Sequence, residues 1–176
     1  MTFTETDLPG AFLIELDRKQ DERGHFARWF CVNEFAAHGL DTRVTQSSVS
    51  FNRRAGTLRG LHWQEAPRAE AKLVRCTRGA IYDVIVDLRP DSPARFRHIG
   101  VELTPDNGRM VYIPEGMAHG FQTLTDDTEV CYQISEFFAP ELARGARWND
   151  PRFGISWPLS HPIMNERDQA WPDFAG

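Results

Sequence analysis

The sequence predicts an all-β chain: a sandwich, barrel or jelly roll with a few short peripheral helices. Two observations carry this. Apolar and polar residues alternate with period two in ten short runs, "AFLIEL", "HFARWF", "RVTQSSVSF", "GTLRGLHWQ", "AKLVRC", "AIYDVIVDL", "HIGVEL", "RMVYIP", "GFQTL" and "EVCYQISEFF", which are rich in β-branched, aromatic and leucine residues. Between them stand turn-forming stretches such as "DERG", "NRRAG", "RPDSP", "TPDNG", "PEG" and "TDD". "TRG", between "AKLVRC" and "AIYDVIVDL", is short enough for a tight hairpin. Helices are expected to be few and short, the best candidates being "VNEFAAHG", "PELARG" and part of "NERDQAWPDF". With 176 residues and no repeat or linker, residues 1–176 are expected to form one domain.

Bulk properties exclude several classes of function. A net charge of -5 lacks the basic field that sequence-independent nucleic-acid binding needs, so no nucleic-acid partner is expected. The opening "MTFTETDLPG" has no signal-peptide pattern and no run is apolar enough to span a membrane, so the expectation is a soluble, cytoplasmic protein without a membrane partner. Cys31, Cys76 and Cys131 are odd in number and widely spaced, and are expected to be buried, reduced thiols.

"GTLRGLHWQ" is the segment that asks for an explanation, because an arginine and a histidine sit among apolar residues. Strict alternation puts Leu58, Gly60, His62 and Gln64 on one face and Arg59, Leu61 and Trp63 on the other. Taken singly, His62 is as readily a tethered core histidine as a base, and Arg59 is more readily a surface ion pair than a ligand contact. Lys72 shares a face with Val74 and Cys76, and Tyr132 with Val130 and Ile134; a lysine snorkelling to water and a core tyrosine are the plain readings. His119 follows the turn "PEG" at the entrance of a strand.

"PEGMAH" resembles half of the cupin metal-binding pattern, whose other half requires a His-x-His pair. Here that stretch is His62-Trp63-Gln64, and glutamine is a poor ligand, so a cupin-like fold without metal or other cofactor is expected. In such a pocket a histidine can remove a proton from carbon beside a carbonyl if a cation stabilises the enolate, and a tyrosine on the opposite wall can return a proton. Base on one side and acid on the other inverts a stereocentre; spacing and composition allow this chemistry without requiring it.

"DERGHF", "GTLRGLHWQ", "KLVRC", "YDVIVDLR", "IPEGMAHGF", "CYQ" and "RWNDPRFGISWP", in this order over nearly the whole chain, resemble the dTDP-4-dehydrorhamnose 3,5-epimerase family of metal-free cupin-fold enzymes. The resemblance implies a nucleotide-diphospho-4-keto-6-deoxyhexose as substrate, with inversion at C3 and C5 or at C3 alone. It makes His62 the base, Asp168 its carboxylate partner, Tyr132 the acid and Lys72 the group beside the 4-keto oxygen. It assigns Arg23, Arg59, His119, Gln46, Ser48, Phe138 and Arg167 to substrate binding, Arg167 standing for a family lysine, and it implies a homodimer. An exposed apolar edge at "AFLIEL" would favour the same dimer. The chain departs from the family at Ser48 for an asparagine, Arg28 and Ala143 for glutamates, and Phe138 for a tyrosine. Two other readings stand beside it: a related sugar ketoisomerase, which the missing second histidine at Gln64 argues against, and a non-catalytic nucleotide-sugar-binding module.

Overall fold

The computed structural model describes residues 1–175. Its elements in chain order are β1 (Thr2–Glu5), β2 (Phe12–Glu15), β3 (Lys19–Asp21), β4 (Gly24–Phe26), α1 (Val32–Ala37), β5 (Gln46–Asn52), β6 (Leu58–Gln64), β7 (Lys72–Arg78), β8 (Ile81–Asp87), β9 (His98–Leu103), β10 (Arg109–Ile113), β11 (Met117–Thr123), β12 (Thr128–Ile134), β13 (Ala143–Gly145) and α2 (Glu166–Gln169). They build two antiparallel sheets, β1-β2-β10-β7-β12-β5 and β13-β6-β11-β8-β9, and a separate β3-β4 hairpin. This is the expected cupin-like jelly roll.

Three apolar layers hold it. Val74, Val111 and Val130 of the larger sheet meet Ile81, Ile85, Leu103 and Phe121 of the smaller one, so this cluster is the filling of the sandwich. On the outer face of the larger sheet, Phe35 of α1 packs on Phe12, Ile14, Leu73, Met110 and Tyr112. On the outer face of the smaller sheet, Leu61, Val84, Val86 and Ala118 lie under Phe153, with Trp157 and Phe174 of the C-terminal segment packed against them. Strand β8 is therefore covered on both faces, which explains its nearly unbroken apolar run "IYDVIVD".

The structure corrects several expectations. "AFLIEL" is no edge: β2 lies between β1 and β10, and β1 escaped notice because "TFTE" is mostly exposed and carries little alternation. "TRG" does not close a hairpin, because β7 and β8 belong to different sheets and the turn carries the chain across the sandwich. Gly79 makes that crossing at φ +78°, where a Cβ would strike the Thr125 and Thr128 hydroxyls. In "HFARWF" the strand stops at Phe26. "PELARG" contributes strand β13 rather than a helix: a helix this short has little stability of its own, and the open edge of β6 offers Ala143, Arg144 and Gly145 ladder partners at Gln64, Trp63 and His62.

The correction that matters most lies within β6. His62 pairs with His119 of β11 but Arg59 pairs with Phe121, so two steps along β11 match three along β6. The extra residue is a β-bulge, and it reverses the phase of alternation along the strand. Arg59 and His62, expected on opposite faces, consequently line the same cavity. Glycine is required here, since Gly60 has φ +124° and an added Cβ would lie 2.5 Å from Gly120 Cα and 2.8 Å from the His119 carbonyl oxygen. Gly60→Ala is expected to cost about 3 kcal/mol or more in urea denaturation. Gly154→Ala, at φ +60° with open space around it, is expected to cost about 1–2 kcal/mol.

Candidate active site

A cavity of about 690 Å³ lies between the sheets, a size suited to a small organic ligand. His62, Arg59 and His119 line it from the smaller sheet; Gln46, Ser48, Lys72 and Tyr132 line it from the larger one; Phe138, Arg167 and Asp168 come from the loop after β12 and from α2.

His62 is half-exposed, and its Nε2 lies 2.7 Å from Oδ1 of Asp168, a residue that is only 2% exposed. The carboxylate is fixed from two further directions. The Gly60 N–H donates to its Oδ2 at 3.3 Å, and the Asn165 side chain caps α2 by accepting from the Asp168 N–H at 2.7 Å. Burial pushes the Asp168 carboxyl up, but the hydrogen bond and charge of His62 and the Gly60 N–H outweigh it and hold the group below its ordinary value. An ionised carboxylate only accepts hydrogen bonds, so in the neutral imidazole Nε2 of His62 donates and Nδ1 is left with the lone pair. This nitrogen is the base available in the cavity.

His119, directly across from His62, forms a second pair of the same kind. Its Nε2 lies 2.8 Å from Oδ2 of Asp83, a carboxylate 1% exposed on β8. On the opposite wall Tyr132 of β12 stands between Val74 of β7 and Ser48 of β5, while Lys72 faces Ile134, two residues further along β12. Lys72 and Tyr132 are therefore diagonal neighbours. The Lys72 ammonium donates to Oε1 of Glu70.

Arg59 is anchored through one nitrogen, Nε, which donates at 2.8 Å to Oδ1 of the buried Asn52. Two glutamines shape the adjoining loop. Gln46 Oε1 accepts from the Phe138 N–H at 2.8 Å, and the Gln64 carboxamide accepts from Ala139 N at 2.7 Å and donates to the Phe137 carbonyl at 3.1 Å. Both place the exposed ring of Phe138 at the cavity. Gln64 is thus committed to the backbone, and among the described residues no three His, Cys, Asp or Glu side chains are grouped so as to hold a metal ion. The Arg167 guanidinium lies over the Trp171 ring, 5.3 Å from its centre.

A model of the family described as dTDP-4-dehydrorhamnose 3,5-epimerase matches residues 5–176. The chain belongs to this family. An enzyme of that name from Methanothermobacter thermautotrophicus is 43% identical over 172 residues, covering 96% of this chain and 92% of the relative. A dTDP-4-dehydrorhamnose 3-epimerase from Streptomyces niveus is 37% identical over 163 residues, 92% of this chain and 78% of the relative. The crystal structure of a 3,5-epimerase from Bacillus anthracis with TDP and PPi bound superposes with a TM-score of 0.95 at 39% identity, covering 98% of this chain and 99% of that one.

Of the site residues expected from the epimerase family, ten line the cavity and Arg23 does not. Arg23 sits in the β3-β4 hairpin, largely exposed, with its guanidinium on Asp21 at 2.6 Å. Among the family departures, Arg28 is also outside the cavity and pairs with Glu34 at 3.3 Å, whereas Ala143 lines it. Four residues that matter to the geometry were not anticipated: Asp83, Glu70, Asn52 and Asn165. Asp83 had a readable signal, as a carboxylate in the middle of a largely apolar run must be paired. Glu70 had one too, as an acidic residue two positions before Lys72.

The depressed Asp168 value has a consequence for pH. A carboxyl whose folded value lies below its unfolded value stabilises the fold fully above the ordinary 3.8 and loses that contribution as pH falls through the folded value. Asp87 adds to it in the same sense, since burial raises it but Arg89 and Ser92 hold it down by more. Thermal melts should therefore show a Tm that is steady above about pH 4 and falls below it, with Asp168→Asn flattening part of the fall.

Proposed function

We propose that this protein epimerises a nucleotide-diphospho-4-keto-6-deoxyhexose at C3 and C5, with dTDP-4-keto-6-deoxyglucose as substrate and dTDP-4-keto-rhamnose as product. The observation that carries the reading is the placement of a carboxylate-backed imidazole on one sheet and of a tyrosine and a lysine on the other, facing one cavity. A hydrogen on carbon beside a carbonyl is acidic only if the enolate is stabilised, and the Lys72 ammonium supplies a cation for that charge. His62 Nδ1 takes the proton, the electron pair of the C–H bond moves into the enolate, and the Tyr132 hydroxyl delivers a proton to the opposite face. Arg59, with its terminal nitrogens beyond the Asn52 contact, suits a diphosphate, assisted by Arg167; Gln46, Ser48, His119 and Phe138 complete the substrate contacts. Residues 1–176 act as one cupin-like domain in this reading. Free Cys31, Cys76 and Cys131 and a nucleotide-activated substrate fit a cytoplasmic enzyme.

Inversion at C3 alone is the second reading, supported by the similarity to the Streptomyces niveus 3-epimerase. In D2O, the sugar should gain deuterium at C3 and C5 for the first reading and at C3 alone for the second. Binding without exchange at either carbon would instead indicate a non-catalytic module. His62→Ala should lower turnover about 10³-fold and abolish exchange, whereas Tyr132→Phe should slow product formation about 10²-fold while leaving α-proton exchange measurable.

The protein is further proposed to work as a homodimer. Phe26 is 72% exposed on the hairpin that carries Arg23, and Val49 and Phe51 stand exposed on edge strand β5, beside the cavity. Apolar groups in these places are suited to a second copy. Sedimentation should give twice the chain mass, and Phe26→Ser with Val49→Ser should shift it toward the single chain; a wild-type protein sedimenting as one chain would remove the dimer.

A further inference from the structure

An ammonium in the wall of a largely apolar sandwich needs something to hold it. The two ladder partners of Lys72, Ile113 on β10 and Ile134 on β12, offer no acceptor side chain. Its ion-pair partner is Glu70, two residues earlier and just ahead of β7, and the two side chains are only 11% and 8% exposed. The second carboxylate oxygen, Oε2, is buried and has no hydrogen-bond partner among the described residues. A carboxylate buried with one oxygen unpaired is a cost to the fold that a glutamate in solvent would avoid. Glu70 also contributes to the cavity lining, and its orphan oxygen is shielded from solvent.

We propose that Glu70 is a positioning residue for the epimerisation: by taking one N–H of Lys72 it fixes the direction of the ammonium and leaves the other two for the substrate's carbonyl oxygen. This rests on the function proposed above. No bond to Glu70 forms or breaks; the proton goes to His62 and the charge to the oxygen that Lys72 faces. A free ammonium on four rotatable bonds would have to be ordered at each turnover, whereas one already tethered is ordered when the substrate arrives. Its effect should therefore appear in the chemical step more than in binding.

The chain has two lysines, Lys19 and Lys72, and Lys19 is 74% exposed, so lysine-selective ¹⁵N labelling gives one signal from the surface and one from the site. The test compares wild type, Glu70→Ala and Glu70→Gln, all checked for an unchanged melting temperature. Glu70→Ala should lower kcat about tenfold or more with KM within about threefold, and Glu70→Gln, which keeps an acceptor oxygen, should recover most of the loss. The Lys72 Nζ signal should be protected from solvent exchange in wild type and Glu70→Gln and lose that protection in Glu70→Ala. A Glu70→Ala protein with wild-type kcat, a Lys72 signal unchanged by the substitution, or a Glu70→Gln protein as slow as Glu70→Ala would each overturn the proposal. A wild-type protein inactive on the 4-keto sugar would refute the proposed function instead, and the exchange of the Lys72 signal would still decide whether Glu70 holds the ammonium.

Discussion

The backbones of β6 and β11 approach so closely at Gly60 and Gly120 that neither residue can carry a side chain. Much of the site depends on this contact. It accommodates an extra residue in β6, which turns Arg59 and His62 toward one cavity while Leu61 goes to the apolar layer on the other side of the sheet. It also leaves the Gly60 N–H pointing at Asp168, so one distortion both aims the imidazole and supplies a donor to the carboxylate behind it. A regular strand of the same composition would deliver one of these two side chains to the wrong face.

Around that contact a pattern repeats in the cavity. Four of the basic groups that line it are each held by an acceptor side chain: Asp168 on His62, Asp83 on His119, Asn52 on Arg59 and Glu70 on Lys72. Buried groups of this kind have few alternative partners, so they hold the outer side chains in one orientation, and the low-dielectric surroundings strengthen each contact. The arrangement suits a reaction in which a negative charge appears and disappears within one turnover, because the donors need not reorganise to meet it.

Much of this was legible in the sequence, and the exceptions have physical causes. Most of the strands were visible because half-buried strands must alternate; β1 and β3 were not, because "TFTE" and "KQD" are mainly or wholly exposed, and of the equally exposed β4 only the end of "GHF" fell within an expected run. β13 was hidden because its strand character comes from pairing with β6 rather than from "ARG" itself. His62, Lys72 and Tyr132 stood out as polar residues on apolar strand faces, whereas Asp168 and the role of each came from the resemblance to a family. Their grouping on two walls was not available from alternation, which misplaces Arg59 relative to His62 wherever a bulge intervenes. The hairpin expected at "TRG" failed for a related reason: loop length says how tightly the chain turns, and not whether it turns within a sheet or between two.

The base and its carboxylate are 106 residues apart in the chain, and what joins them is the segment that follows β13. It returns across the smaller sheet, bonds to the start of β6 through Leu58 N to the Ile163 carbonyl at 2.9 Å and Ile163 N to the Gly56 carbonyl at 2.8 Å, and only then delivers α2. Every strand of both sheets precedes this return. The sandwich can therefore be assembled, with its histidines in place, before it holds a competent base. A single proteolytic cut in the exposed stretch around Ser160 would spare every strand of the fold and release the carboxylate from its covalent tether to them, so that loss of chemical competence and loss of folded structure become separable events in the protein's degradation.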